Sequence, residues 1–412
     1  MMSASRKLAR PGVYALPAGR CRAAQRGCAL ELMVRFITAR ARPWAAIREI
    51  DMKSLTSTLA AVALLGGLAA CGSHNGAGPV AVADDGQLDV PAFWLPFSRY
   101  ASHEAAAAYV DKLRHPDQVN PADIPAARAF YDEYNKRYLA KARAAYPVRI
   151  SHATLGGVPV DVVVPEGGVR TANAQRVLIN LHGGAFLWGA GAGGQLEAVP
   201  IAALMGITVV TVDYRLGPEN RFPAASEDVA AVYRELLKTH AASAIGIYGC
   251  SAGGVLTAQS LAWLQKAGLP PPGAAGIFCA GDGLAGDSSY VAGPLTGQAP
   301  VTRGGADLNL AQVPYFAGAS MTDPLVAPTG SATVLRAFPP VLVISGTRDF
   351  AMSAAIDFHR QLVKAGVPAE LHLWDGMWHA FFMDVGLPES REVYAVIGAF
   401  FDAHLARPAE SR

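Results

Sequence analysis

The chain has 412 residues, 51% of them hydrophobic and only 17% charged, with a mean hydropathy of +0.23. That is enough apolar chain to bury one or two sizeable cores, and too little charge for a disordered polymer. The formal charge of +2 hides an uneven split. Residues 1–70 carry 11 Lys/Arg against three Asp/Glu, which leaves the rest at −6, a poor electrostatic match for nucleic acid. Five cysteines with no C-x-x-C pair, and no H-E-x-x-H, exclude a disulfide scaffold and the familiar zinc patterns.

Residues 1–51 hold nine Arg, two Cys and no apolar period, and read as an extension upstream of a true start at Met52, a basic amphipathic organelle presequence being the alternative. From there Met52-Lys53-Ser54 leads into an uncharged run, Leu55 to Ala70, and then Cys71-Gly72-Ser73. One positive charge, a stretch too short to span a bilayer comfortably and a small-residue junction predict a signal peptide over 52–70. Leu68-Ala69-Ala70-Cys71 resembles the lipobox of bacterial lipoproteins. That resemblance implies acylation of Cys71 and a lipid anchor in the bacterial cell envelope. Gly72-Ser73, with no Asp at the second position, favours by the same resemblance the outer membrane, facing the periplasm. The competing reading is a buried hydrophobic helix ending in a core cysteine. The Gly-, Ala- and Asp-rich stretch 71–90 reads as a tether.

Two helices are predicted next, His103–His115 and Ala122–Ala145, within an N-terminal cap segment 91–145. In the second, Ile124, Ala127, Phe130, Tyr131, Tyr134 and Tyr138 recur at spacings of three and four, and Asn120-Pro121 supplies a start. Beyond Pro147 short apolar runs alternate with helical ones. Strands are predicted at Val158–Val164, Val177–Leu181, Ile207–Val212, Ile245–Tyr248, Gly276–Cys279, Val341–Ile344 and Glu370–Trp374. Helices are predicted at Ala198–Met205, Ala224–Thr239, Ala252–Lys266 and Met352–Ala365. This order specifies an α/β fold with a mostly parallel, doubly wound sheet over 146–412. The Gly-, Pro- and Ala-rich stretch at about 284–337 breaks the rhythm and predicts a cap insertion.

The chemistry falls at strand ends. Gly249-Cys250-Ser251-Ala252-Gly253 joins a strand to a helix, the setting of a nucleophile elbow. Ser251 must sit in a tight turn, with the following helix N-terminus beneath a developing oxyanion. His182-Gly183-Gly184-Ala185-Phe186 follows the strand Val177–Leu181, where hydrolases of this kind keep the other half of the oxyanion hole. The expected donors are the N–H groups of Gly184, Ala185 and Ala252, with Gly183 shaping the loop.

These motifs resemble the hormone-sensitive-lipase-like family of bacterial α/β-hydrolase esterases, with its H-G-G-G-F. The likeness extends through Val212-Asp213-Tyr214-Arg215-Leu216-Gly217-Pro218-Glu219, Phe222-Pro223-Ala224-Ala225, Glu227-Asp228 and Asp323-Pro324-Leu325. It covers roughly Phe93 to His404 and implies the α/β-hydrolase fold. Two departures stand out. Ala185 replaces the third glycine, and Cys250 replaces the Asp that usually precedes the nucleophile. Arg215, Glu219, Glu227 and Asp228 are expected to brace the loop after Ile207–Val212, a polar site being the alternative.

The hydrolase chain order Ser, Asp, His points to His379 as base, in a loop flanked by Trp378, Phe381 and Phe382. Asp349 is the expected acid, just past Val341–Ile344, with Asp323 and Asp375 as rivals. His182 belongs to the oxyanion loop. Cys250 and Cys279 read as small buried hydrophobes, a disulfide between them being the other option.

The expected activity is serine carboxylic-ester hydrolysis of short to medium acyl esters or lactones, with no cofactor and no metal. The alternatives are an amidase or carbohydrate deacetylase on the same triad, or a non-catalytic envelope lipoprotein. Phe186, Trp188 and Trp378 in or beside the catalytic loops predict an apolar pocket preferring acyl chains of roughly two to eight carbons.

Overall fold

The computed structural model describes residues 95–116, 119–283, 286–289 and 309–406, with the backbone of 81–82 and 88–89. The proposed start at Met52, the signal segment 52–70 and Cys71 lie outside the described residues. Contacts divide the chain into two units, 1–93 and 94–412. In the first, β1 (Ala81–Val82) pairs antiparallel with β2 (Leu88–Asp89), a short ladder inside the expected tether.

The second unit is built on one eight-stranded sheet. Its strands are β3 (Val148–Leu155), β4 (Val158–Pro165), β5 (Val177–Leu181), β6 (Thr208–Val212), β7 (Ile245–Cys250), β8 (Ala274–Phe278), β9 (Val341–Arg348) and β10 (Ala369–Trp378). They lie in the order β10-β9-β8-β7-β5-β6-β4-β3, parallel from β10 to β6 and antiparallel at β6–β4 and β4–β3. All five residues of β5 and all six of β7 are buried, as expected of central strands covered on both faces. Val177, Ile179 and Leu181 point into one core and Leu178 into the other, the period of two that a strand imposes.

Helices fill both faces: α1 (His103–Arg114), α2 (Ile124–Ala145), α3 (Ala192–Met205), α4 (Ala224–Leu236), α5 (Ala252–Lys266), α6 (Ala332–Leu335), α7 (Met352–Lys364) and α8 (Pro388–His404). One core gathers residues of α4, α5 and α7, and the other residues of α1, α2, α3 and α8. Ser102 caps α1 and also donates its N–H and hydroxyl to Glu389 at 2.6 and 2.9 Å, which ties α1 to α8.

The sheet order fixes where a site can form. From β5 the chain moves to β6 on one side, and β7 then takes the other side of β5. That reversal opens a crevice at the carboxyl ends of β5 and β7, where Leu181 and Gly249 are register partners.

Within the stretch 284–337, residues 290–308 lie outside the described residues. The described part from 309 onward packs as short turns whose Leu310, Tyr315, Phe316, Val326 and Leu335 join the core.

Candidate active site

Ser251 sits between β7 and α5 with φ 58° and ψ −123°, a backbone conformation that side-chain-bearing residues rarely adopt. The turn is held by close packing. A Cβ on Gly253 would fall 1.7 Å from the Leu181 carbonyl oxygen, and one on Gly249 would fall 2.3 Å from it. Glycine at both positions lets the elbow press against the end of β5 and pushes Ser251 out toward the crevice.

His379 lies one residue past β10, and its Nε2 is 2.9 Å from Ser251 Oγ. Its Nδ1 is 2.7 Å from Asp349 Oδ1, and Asp349 is the first residue after β9. The ring is largely covered, with Phe350 stacked on it at 4.2 Å. Asp349 is fully buried. Burial on its own would raise its carboxyl, but His379 as charge and hydrogen-bond partner, the Ala351 N–H and the Ser345 hydroxyl together hold it below the ordinary carboxylate range. An ionised acceptor at Nδ1 keeps the proton on that nitrogen and leaves Nε2 free to accept from Ser251.

The rivals sit elsewhere. Asp375 is exposed, accepts the Thr347 hydroxyl at 3.1 Å and takes the Ser98 hydroxyl as well. Asp323 holds its own turn through the Leu325 N–H at 2.9 Å. His182 is fully buried, with Nδ1 2.7 Å from the Gly183 carbonyl and its ring stacked on Tyr214 at 4.2 Å. Burial drives its pKa down, so it stays a neutral structural ring.

The loop after β5 turns through three successive positive φ values: Gly184 115°, Ala185 53° and Phe186 61°. A Cβ on Gly184 would meet the Trp188 carbonyl oxygen at 2.1 Å, so only glycine fits there. Ala185 occupies the left-handed region with its side chain in place, a conformation that costs on the order of 1–2 kcal/mol. Among the described residues, the N–H groups of Gly184, Ala185 and Ala252 have no hydrogen-bond acceptor. Gly183 differs, because its N–H is occupied by Glu197 Oε1 at 2.8 Å.

Several supporting residues were not anticipated from the sequence. Ser345 steadies the far side of Asp349 at 2.8 Å. Arg128 on α2 donates to the carbonyls of Leu187 (2.7 Å) and Gly217 (2.8 Å) and to both oxygens of Glu219, binding α2 to the loop after β5. Arg128 holds the exposed Glu219 carboxyl down at about 2. Arg215 pairs with Asp228 and Glu227, bracing its loop as expected. Glu197 on α3 is a buried acid behind the site. An Arg or a Glu in an amphipathic or apolar run gives no local signal of such a role.

The aromatic residues near the site need a correction. Phe186 is 1% exposed and stacks on Tyr315 at 4.8 Å, and Trp378 is 8% exposed against Tyr109. Both are pillars of the core rather than pocket walls. Trp188 remains half-buried, stacked on Tyr131 of α2 at 4.9 Å.

Cys250 and Cys279 are free and buried, and burial raises both thiols. Cys279 Sγ accepts the Ala380 N–H at 3.3 Å and so helps seat the His379 loop. Cys279, Asp349 and His379 bring sulfur, oxygen and nitrogen atoms within 4.8 Å of one another. Two of those atoms already share the His379–Asp349 hydrogen bond, and an ion between them would displace the proton that the pair holds.

An elbow serine, a histidine and a buried carboxylate in line at the carboxyl end of a doubly wound sheet define a serine hydrolase of the α/β-hydrolase class. A profile of the alpha/beta hydrolase fold matches residues 178–383. An acetyl-hydrolase of Streptomyces hygroscopicus is 32% identical over 253 residues, covering 59% of this chain and 83% of that protein. The crystal structure of esterase E25 superposes with a TM-score of 0.65 at 28% identity, covering 77% of this chain and 99% of that one. An esterase from the bacterial hormone-sensitive lipase family gives a TM-score of 0.61 at 26% identity, over 74% and 97%. The chain belongs to the hormone-sensitive-lipase-like family of α/β-hydrolase-fold esterases.

Proposed function

We propose that this protein hydrolyses carboxylic esters of short to medium acyl chains through an acyl-enzyme on Ser251. The carrying observation is the line Ser251 Oγ, His379 and Asp349 at 2.9 and 2.7 Å, facing three N–H groups with no other acceptor among the described residues.

A serine hydroxyl is a weak nucleophile until a base removes its proton. His379 Nε2 takes that proton as Oγ attacks the ester carbonyl, and Asp349 stabilises the imidazolium that results. The carbonyl oxygen becomes an oxyanion, received by the N–H groups of Gly184, Ala185 and Ala252. Losing one such donor typically costs about 3 kcal/mol of transition-state stabilisation. The imidazolium returns the proton to the leaving alkoxide, and the acyl group stays on Ser251. Water then attacks through the same base, releasing the acid and restoring the hydroxyl. Small acyl groups are favoured by analogy with the Streptomyces relative, which is named an acetyl-hydrolase.

The sequence around Leu68-Ala69-Ala70-Cys71 supports a lipid anchor at Cys71, holding the catalytic unit at the bacterial outer membrane on the periplasmic side. The test of the activity is turnover of p-nitrophenyl acetate, butyrate and octanoate by the wild type and Ser251→Ala. The reading requires turnover by the wild type and its loss in the variant. Absence of any ester turnover by folded wild type would overturn it.

A further inference from the structure

We infer that Glu197 is a positioning residue that holds the oxyanion loop against the nucleophile elbow by accepting the N–H of Gly183 on its buried carboxyl group. The inference rests on the esterase reading above.

The donors come from two separate segments. Gly184 and Ala185 belong to the loop after β5, and Ala252 belongs to the elbow after β7. Their spacing decides whether one oxygen atom can reach all of them, and no covalent bond sets it. Glu197 rises from α3 behind both. Its Oε1 accepts the Gly183 N–H at 2.8 Å, one residue before the first loop donor. The Cys250 N–H, two residues before Ala252, also favours the ionised form of that carboxyl. The side chain therefore fixes the foot of the oxyanion loop where that foot lies against the elbow. The packing leaves little slack, since a Cβ on Gly183 would lie 3.1 Å from the Cys250 carbonyl oxygen and 3.4 Å from Ser251 Cβ.

The surroundings leave the carboxyl dependent on the Gly183 N–H. Beside it lies a cavity of about 10 Å³, bordered by Tyr248, Phe278, Phe382 and Tyr394, with room for one water at most. Burial pushes the Glu197 carboxyl up to about 8, against the pull of the Gly183 and Cys250 N–H groups. The facing groups are shifted away from that range. Burial raises Tyr214, Tyr248, Tyr394 and Cys250, and lowers His182 beside Gly183. Near neutral pH the Glu197 carboxyl is thus an uncharged acid. Above about 8 it becomes an anion behind the N–H groups that must receive an oxyanion, and like charge opposes turnover.

The experiment compares wild type, Glu197→Ala, Glu197→Gln and Ser251→Ala with p-nitrophenyl butyrate between pH 6 and 10, at matched folded fraction. A phenylboronic acid that forms a tetrahedral adduct on Ser251 is titrated alongside. Glu197→Ala should lower kcat about 10- to 100-fold, the scale of a displaced oxyanion donor, with KM little changed and boronate binding weakened in parallel. Glu197→Gln keeps an acceptor oxygen that cannot ionise. It should restore most of kcat at pH 7 and abolish the alkaline decline of the wild type. If Glu197→Ala does not fold, the Glu197→Gln profile and its boronate affinity decide alone.

Normal kcat in folded Glu197→Ala would overturn the inference, leaving Glu197 a packing residue. So would an alkaline decline in Glu197→Gln identical to that of wild type. With wild type active and Ser251→Ala dead, such results remove this proposal and leave the esterase reading standing. Inactive wild type would remove both.

Discussion

Ser345 and Asp349 face each other at the end of β9, with the Ser345 hydroxyl donating to Asp349 Oδ2 at 2.8 Å while Oδ1 holds His379. The acid of the relay is therefore oriented from both sides. Asp349→Asn should leave the fold intact, because the amide is nearly isosteric. It should lower kcat by roughly 10⁴-fold by holding His379 in the wrong tautomer. Asp375→Asn, at an exposed carboxylate bonded to Thr347, should leave kcat near that of wild type. Steady-state kinetics at matched circular dichroism separates the two. Loss of turnover in Asp375→Asn with a normal Asp349→Asn would move the acid.

Arg128 and Glu219 form an ion pair at 2.7 Å, half open to solvent, where water screens most of the attraction and the pair itself contributes little. The two backbone carbonyls that Arg128 also holds matter more, because they fix α2 against the loop after β5. Glu219→Gln should change kcat/KM by less than about threefold. Arg128→Ala should reduce it about tenfold, roughly the loss of one charge-assisted hydrogen bond. Equal effects of the two variants would show that the ion pair, not the carbonyl contacts, supports the loop.

Much of this site is legible in the sequence, and the reasons for the misses are physical. β5, β7 and α5 are apolar runs bounded by glycine turns, so the elbow and the oxyanion loop stand out. β3 passed unnoticed because Val148 is its only fully buried residue, as suits an edge strand facing water. α3 begins at Ala192, six residues before the predicted start. Its glycines argue against a helix locally, yet a Cβ on Gly194 would lie 2.2 Å from Thr211 Oγ1, so close packing on the sheet requires one there. α8 was missed although Val393, Tyr394, Ile397, Phe400 and Phe401 form its buried face. Glu197 had no local signal, since its burial arises only when α3 closes behind two distant loops.

Gly253→Ala should destabilise the fold by at least about 3 kcal/mol, because its Cβ would meet the Leu181 carbonyl oxygen at 1.7 Å. Gly167→Ala, where a Cβ meets nothing within 4 Å, should stay within about 0.5 kcal/mol of wild type. Denaturant midpoints test the pair. Similar stabilities would contradict the close approach of the elbow to β5.

Glu197 and Asp349 should shape stability against pH in opposite senses. The folded-state pKa of Glu197 is raised from 4.5 to about 8, so the stability it adds is complete below 4.5 and is lost as pH rises through 8. Each unit of that separation is worth about 1.4 kcal/mol. Asp349 is shifted down, so its contribution holds above the ordinary carboxylate range and is lost as pH falls through its lower folded value. Glu197→Gln should therefore flatten the decline in Tm between about pH 5 and 8. An unchanged slope would place the Glu197 titration elsewhere.

Acylation of Cys71 would put the protein in the detergent phase and in the outer-membrane fraction. Cys71→Ala should remove it from that phase or leave an unprocessed precursor. Identical processing and membrane recovery of both forms would refute the anchor.

The central claim is that Ser251 is the nucleophile of ester hydrolysis. Its most direct measurement is labelling of the folded protein with a fluorophosphonate, followed by peptide mass spectrometry and residual turnover of p-nitrophenyl butyrate. The account predicts stoichiometric addition to the peptide carrying Ser251, with activity falling in step, and neither label nor turnover in Ser251→Ala. Label on another residue, or sustained turnover by Ser251→Ala, would contradict it.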